Sequence, residues 1–170
     1  MAVIPRLYTY VAFDGDADLM SYRLIQQWSK DPARPFTLWD AHSLNYARDD
    51  SLTDSIISQL KPRLDASRHV VLLVSDATAR NRRGILEYEV NYAFRYQLPI
   101  LCFFIGIDRG TPNTEQLWRD TLFPRLPPVV RNHVGDKYCT LSPFTFDHLT
   151  QAVASFDQGR LPNPPYQWYW

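Results

Sequence analysis

A chain of 170 residues is long enough to bury a core and short enough to be one domain, and 45% apolar with 21% charged residues excludes the composition of a disordered segment. Eighteen basic residues balance eighteen acidic ones, so no global field gathers nucleic acid or an anionic membrane, and small molecules or proteins are the expected partners. The N-terminus, MAVIPRLYTYVAFDGD, lacks a signal-peptide pattern and nothing approaches about 18 uninterrupted apolar residues, so a cytoplasmic protein without a membrane span is expected.

In chain order, Leu7 to Phe13 is rich in β-formers and stops at Asp14-Gly15-Asp16, a strand followed by a turn. Asp18 then stands as N-cap to a helix in which Leu19, Tyr22 and Ile25 recur at helical spacing. Pro35 to Trp39 reads as a short second strand, and Asp40 to Asp50 as a loop of unusual length for an α/β unit, the kind of segment that carries function. A second helix starts near Ser51, which forms a capping-box pattern with Asp54, and runs through Leu60 and Leu64 with a kink expected at Pro62.

His69 to Val74 is an unbroken apolar run without polar alternation, the pattern of a strand buried on both faces of a parallel sheet. A third helix is predicted over Asn81 to Gln97, and Pro99 to Ile105 is another two-sided apolar strand. Cys102 lies in that run and Cys139 beside a tyrosine; with no CxxC spacing they read as free thiols, as in a reducing cytosol. Eight of the thirteen prolines fall beyond residue 110, and periodicity fades until a short strand at Tyr138 to Leu141 and a closing helix at Phe144 to Phe156. The order is β-α-β-α-β-α-β, with residues 1–158 as one α/β domain and 159–170, ending PNPPYQWYW, as an extended tail.

The familiar signatures are missing: no GxGxxG, no P-loop, no HExxH, no GxSxG, and no metal-ligand cluster. A phospho-receiver would want adjacent acids and a lysine on the last strand, neither of which is offered cleanly. In an open parallel sheet of order 2-1-3-4-5, the ligand crevice lies at the carboxyl ends of the first and third strands. That address gathers Phe13, Asp14, Ser75 and Asp76, the loop with Asp40 and His42, and the opening of the third helix around Arg80 to Arg83, where basic side chains and free N–H groups suit an anion such as pyrophosphate.

The third helix holds two glutamates two residues apart, which point about 200° apart, so one cleft can take only one of them. Glu87 has Arg83 at i−4 and Asn91 at i+4, a polar stripe suited to solvent. Glu89 has Ile85 at i−4 and Ala93 at i+4 and lies beside Leu86 and Val90, where a carboxylate loses hydration and needs a partner or a purpose.

The stretch Tyr88-Glu89-Val90-Asn91-Tyr92-Ala93-Phe94, set after VVLLVS and an Arg/Asn-rich turn, resembles the catalytic-glutamate helix of TIR domains. With VAFDGD on the first strand and FTLWDAHS on the second, residues 7–105 most resemble the TIR-like proteins of bacterial Thoeris antiphage systems. The resemblance implies a doubly wound, flavodoxin-like/TIR-like parallel sheet in three α/β/α layers. It further implies an enzyme that cleaves the nicotinamide–ribose bond of NAD and makes an ADP-ribose-derived signal for a separate effector protein. NAD is then a substrate rather than a cofactor, and self-association through TIR-like surfaces is expected.

Under this resemblance Glu89 is the catalytic carboxylate, Phe13 or Tyr88 walls the nicotinamide, and Asp40, His42 and Arg82 supply polar contacts alongside Asp14 and Ser75. The Ser75-to-Glu89 spacing is about two residues longer than the family's, which keeps Glu87 open as the alternative. Two other readings stand beside this one: a non-catalytic TIR-like module acting by homotypic assembly, and a nucleoside deoxyribosyltransferase-like enzyme.

Overall fold

The fold is that of a computed structural model, which describes residues 8–39, 53–81, 84–108, 110–157, 160 and 162. Four parallel strands lie side by side in chain order: β1 (Tyr8–Ala12), β2 (Ser67–Val74), β3 (Ile100–Phe104) and β4 (Cys139–Pro143). After a shift between Tyr8 and Thr9 their register runs straight across the sheet, with Val11 beside Val71, Leu72 beside Cys102 and Cys102 beside Leu141. Val70 to Val74 are fully buried, as an unbroken apolar run between two helical layers requires.

The predicted strand at Pro35–Trp39 shrinks to one parallel bridge, Leu38 to Thr9, held by Thr9 N–H to the Thr37 carbonyl at 2.7 Å and Trp39 N–H to the Thr9 carbonyl at 3.1 Å. Pro35 brings no donor, and an edge position asks little more of the segment. The bridge still lies on the side of β1 away from β2, so the 2-1-3-4-5 order of the doubly wound fold holds, its second member reduced.

The helices cover both faces. On one side α1 (Leu19–Trp28) and α7 (Phe146–Asp157) pack Tyr22, Ile25, Leu149 and Val153 against Val11, Val71, Leu101 and Phe103. On the other side α2 (Thr53–Asp65) and α3 (Ile85–Arg95) pack Leu60, Leu64, Leu86 and Val90 against Tyr10, Leu72 and Cys102. The helix α2 continues through Pro62 to Asp65. Cys102 and Cys139 are free thiols in this second core, where their mutual hydrogen bond and burial push the Cys102 thiol up. Among the described residues no helix is long and apolar enough to cross a membrane.

The weakly periodic region after Gly106 forms α4 (Glu115–Leu117), a wide π-helical turn (Trp118–Leu122), α5 (Phe123–Arg125) and α6 (Pro128–Arg131). Pro124 cannot donate to the helical ladder, and the chain widens just ahead of it. Leu122, Leu126 and Val130, spaced by four, bury completely against the α2/α3 side of the sheet.

The start of the third helix is corrected. It begins at Ile85 rather than Asn81, because Asn81 is extended (φ −63°, ψ 122°) and Gly84 is left-handed (φ 77°), two conformations that no continuous helix contains. A single 3₁₀ turn, Thr78–Arg80, lies between β2 and the helix.

Candidate functional site

The carboxyl ends of β1 and β2 are laced together by short polar side chains. Asp14, just past β1, accepts at Oδ1 from the backbone N–H groups of Asp16 (3.0 Å) and Ala17 (2.9 Å), an Asx turn that shapes the exit from the strand. Its Oδ2 accepts from the Asn81 amide at 2.9 Å, which ties the first turn to the segment after β2. Ser75, just past β2, donates its hydroxyl to Asp18 Oδ2 at 2.8 Å and accepts from Ala77 N–H at 3.2 Å. Asp14, Asp18, Ser75 and Asn81 thus form a preformed rim at the carboxyl ends of the two strands.

Asp18 is the member of this frame whose side-chain role sequence reasoning missed. It occupies the N-cap position of α1 but makes no side-chain cap; the carboxyl turns to Ser75 instead and is only 5% exposed. Burial pushes its pKa up to about 6, the Ser75 hydrogen bond pulls the other way, and the nearby Asp14 adds a further rise. An acid whose folded pKa lies above its unfolded value loses stability as pH rises from about 3.8 to about 6, the window in which only the unfolded chain sheds its proton. Asp18→Asn removes that slope, and urea unfolding should find the variant gaining on the order of 1 kcal/mol over the parent between pH 4 and pH 7. An unchanged difference across that range would refute the burial of this carboxyl.

Glu89 lies below the rim. It opens the second turn of α3, about 6 Å along the helix from Ile85, and Tyr10 lies a similar distance, about 7 Å, below the end of β1. The two meet: the Tyr10 hydroxyl donates a hydrogen bond to Glu89 Oε1. Glu89 is 1% exposed, and burial, partly countered by that hydrogen bond, pushes its pKa up to about 8. Glu87, on the opposite side of the helix, is exposed, as the helical phase requires.

The other sequence-derived positions divide. Asp14 and Ser75 come together on the rim. Phe13 is buried in the α1/α7 layer, stacked on Tyr22 at 4.6 Å between ring centroids, across the sheet from Glu89. Tyr88 is half-buried beside Tyr92, whose hydroxyl donates to Asp65 of α2. Phe13 and Tyr88 therefore do not face one another. Arg80 stands in the 3₁₀ turn, where its Nε donates to the Asp76 carbonyl at 3.1 Å, and does not enter the helix start. Asp40, His42 and Arg82, with the Asp40–Asp50 loop, the Ser51 cap and most of the tail, lie outside the described residues.

Tyr10 and Asn81 carried no assignment from sequence. A signal for Tyr10 existed: a tyrosine inside a two-sided strand must find a partner for its hydroxyl, and a glutamate on the apolar stripe of the covering helix needs a donor.

No curated protein matches this chain. Residues 10–108 match the family described as "Thoeris protein ThsB, TIR-like domain", a span that covers more than half of the chain and includes Tyr10, the whole rim and Glu89. The chain belongs to the ThsB family of Thoeris TIR-like domains.

Proposed function

We propose that this chain cleaves NAD, releasing nicotinamide and making a linear or cyclised ADP-ribose-derived signal for a separate effector in bacterial antiphage defence. The observation that carries the reading is Glu89, a carboxyl 1% exposed beneath the rim of the crevice with a phenol as its hydrogen-bond partner. Holding an acid in such a place destabilises the ionised form, and groups kept at that disadvantage concentrate at reactive sites.

The chemistry asks for one carboxylate. The nicotinamide ring of NAD is cationic and takes the bonding pair with it as the N-glycosidic bond breaks, so the leaving group becomes neutral without a proton donor. Positive charge develops on the ribose as an oxocarbenium-like centre, and an ionised Glu89 beside it stabilises that charge where little water competes. Water, or another hydroxyl of the ADP-ribose itself, then attacks the same carbon and sheds a proton, giving the linear or the cyclised product. The substrate assists in preparing the group, because a cation brought within a few ångströms of a buried carboxyl favours its ionised form.

Burial of Glu89 also supports control by assembly. Substrate reaches so buried a carboxyl only if the packing around it opens, and a neighbouring copy of the chain that holds it open makes activity depend on association. Nicotinamide release per milligram should therefore rise steeply with protein concentration, in step with an increase in mass by light scattering. Specific activity constant over a broad dilution series, from a particle that stays monomeric, would remove assembly control.

The burial of Glu89 also favours a second reading, a TIR-like module that works by homotypic association without chemistry. An associated form that releases no nicotinamide from NAD would establish it. Deoxynucleosides offered in parallel separate both readings from a deoxyribosyltransferase.

A further inference from the structure

We propose that Tyr10 is the positioning residue of this site: its hydroxyl fixes the Glu89 carboxyl in one orientation beneath the rim, so that the carboxyl meets the ribose already aimed. The inference rests on the reading of Glu89 as the reacting carboxylate. Tyr10 stands in the middle of β1, fully buried, and its ring is fixed by the core it shares with Leu72, Val90 and Phe104. A glutamate side chain has three torsions to settle, and anchoring one oxygen on a rigid strand removes most of that freedom before substrate arrives. Among the described residues the Tyr10 hydroxyl is the hydrogen-bond partner of this carboxyl.

The surroundings leave the task to Tyr10. β2 presents Val70, Leu72 and Val74 to this layer, and β3 presents Ile100, Cys102 and Phe104, among which the Cys102 thiol is directed to Cys139. From α2, Asp65 is engaged by Tyr92 and Lys61, while the charge of Arg63 acts on Tyr10, as does Tyr22 of α1 from the other side. On α3, Glu87 points to solvent. A donor aimed at one carboxylate oxygen stabilises the anion more than the acid, so Tyr10 also sets the pH at which Glu89 becomes competent.

Tyr10→Phe keeps the ring and deletes the donor. Loss of a hydrogen bond to a charged acceptor raises the proton affinity of Glu89, and the rising limb of nicotinamide release against pH should move alkaline by about one to two units. At neutral pH the rate should fall roughly 10–100-fold and recover only in part as pH rises beyond the shifted limb, the remaining deficit being the lost aim of the carboxyl. A second measurement needs no turnover: the pH at which stability to urea stops falling, set by Glu89, should move up by the same interval. A pH–rate limb and a stability profile that both stay in place would make Tyr10 a core residue only and overturn the proposal. Glu89→Gln in the same assay separates the two levels. An inactive Glu89→Gln beside an unshifted Tyr10→Phe overturns the positioning role alone, whereas an active Glu89→Gln overturns the functional reading and the positioning role with it.

Discussion

Glu89→Gln should abolish nicotinamide release while the protein remains folded, a loss on the order of 10²–10³ in rate, or about 2.7–4 kcal/mol of transition-state stabilisation. The amide fills the same volume and can still accept from the Tyr10 hydroxyl, so the core between α3 and β1 is kept and only the negative charge is lost. Glu87→Gln is the internal control. Its side chain is exposed on the far side of the helix, where a charge removal changes stability by no more than about 0.5 kcal/mol and leaves the crevice untouched. Initial rates of nicotinamide release for the two variants, with melting curves to confirm folding, decide the matter. An active Glu89→Gln beside an inactive, equally stable Glu87→Gln would assign the chemistry to the wrong face of α3.

The sheet was legible because its strands are buried on both sides. A parallel strand covered by helices on each face has no polar alternation, so Val70–Val74 and Ile100–Phe104 announce themselves as unbroken apolar runs. The reduced strand at Leu38 was harder to size, since an edge segment needs few apolar residues and a proline within it changes its pairing more than its composition. Residues 115–131 carry a periodic signal in Leu122, Leu126 and Val130, but Pro124, Pro127 and Pro128 fall among them and sequence statistics treat each as a stop.

The site was legible in part, for a different reason. Choosing between Glu87 and Glu89 as the inward carboxylate needs only the 3.6-residue period and the identity of the flanking residues, and the burial of Glu89 with exposure of Glu87 follows that phase. Asp18 stands at the expected N-cap, but the role of its side chain was missed because aspartate before a helix ordinarily caps it. Its rejection of that role depends on Ser75, 57 residues away, which no local pattern contains. Phe13 fell to the opposite layer by strand alternation: Tyr10 and Ala12 face α3, so Val11 and Phe13 face α1. That consequence was available from sequence once the strand was fixed.

The stability of the protein should fall as pH rises from about 4.5 to about 8, and Glu89→Gln should flatten much of that fall. In the unfolded chain a glutamate sheds its proton near 4.5, while in the folded chain Glu89 keeps its proton until about 8. Between those values the folded state binds more protons than the unfolded state, so stability decreases with pH, at no more than about 1.4 kcal/mol per unit. Below the window both states hold the proton and the group contributes nothing; above it both are ionised and the penalty is constant. Glutamine has no proton to shed. The variant should therefore match the parent near pH 4.5 and exceed it increasingly up to pH 8, by several kcal/mol at most, each of which raises Tm by about 2–4 °C in a domain of this size. Asp18 titrates in both proteins and cancels from the difference, so the pH dependence that remains belongs to Glu89 and to the groups coupled to it, Tyr10 first. A Tm difference that stays constant from pH 4.5 to pH 8 would mean that Glu89 ionises at its ordinary pH in the folded protein. A carboxyl so readily ionised would have to be hydrated, and the buried acid beneath the crevice rim, on which the functional reading depends, would not exist.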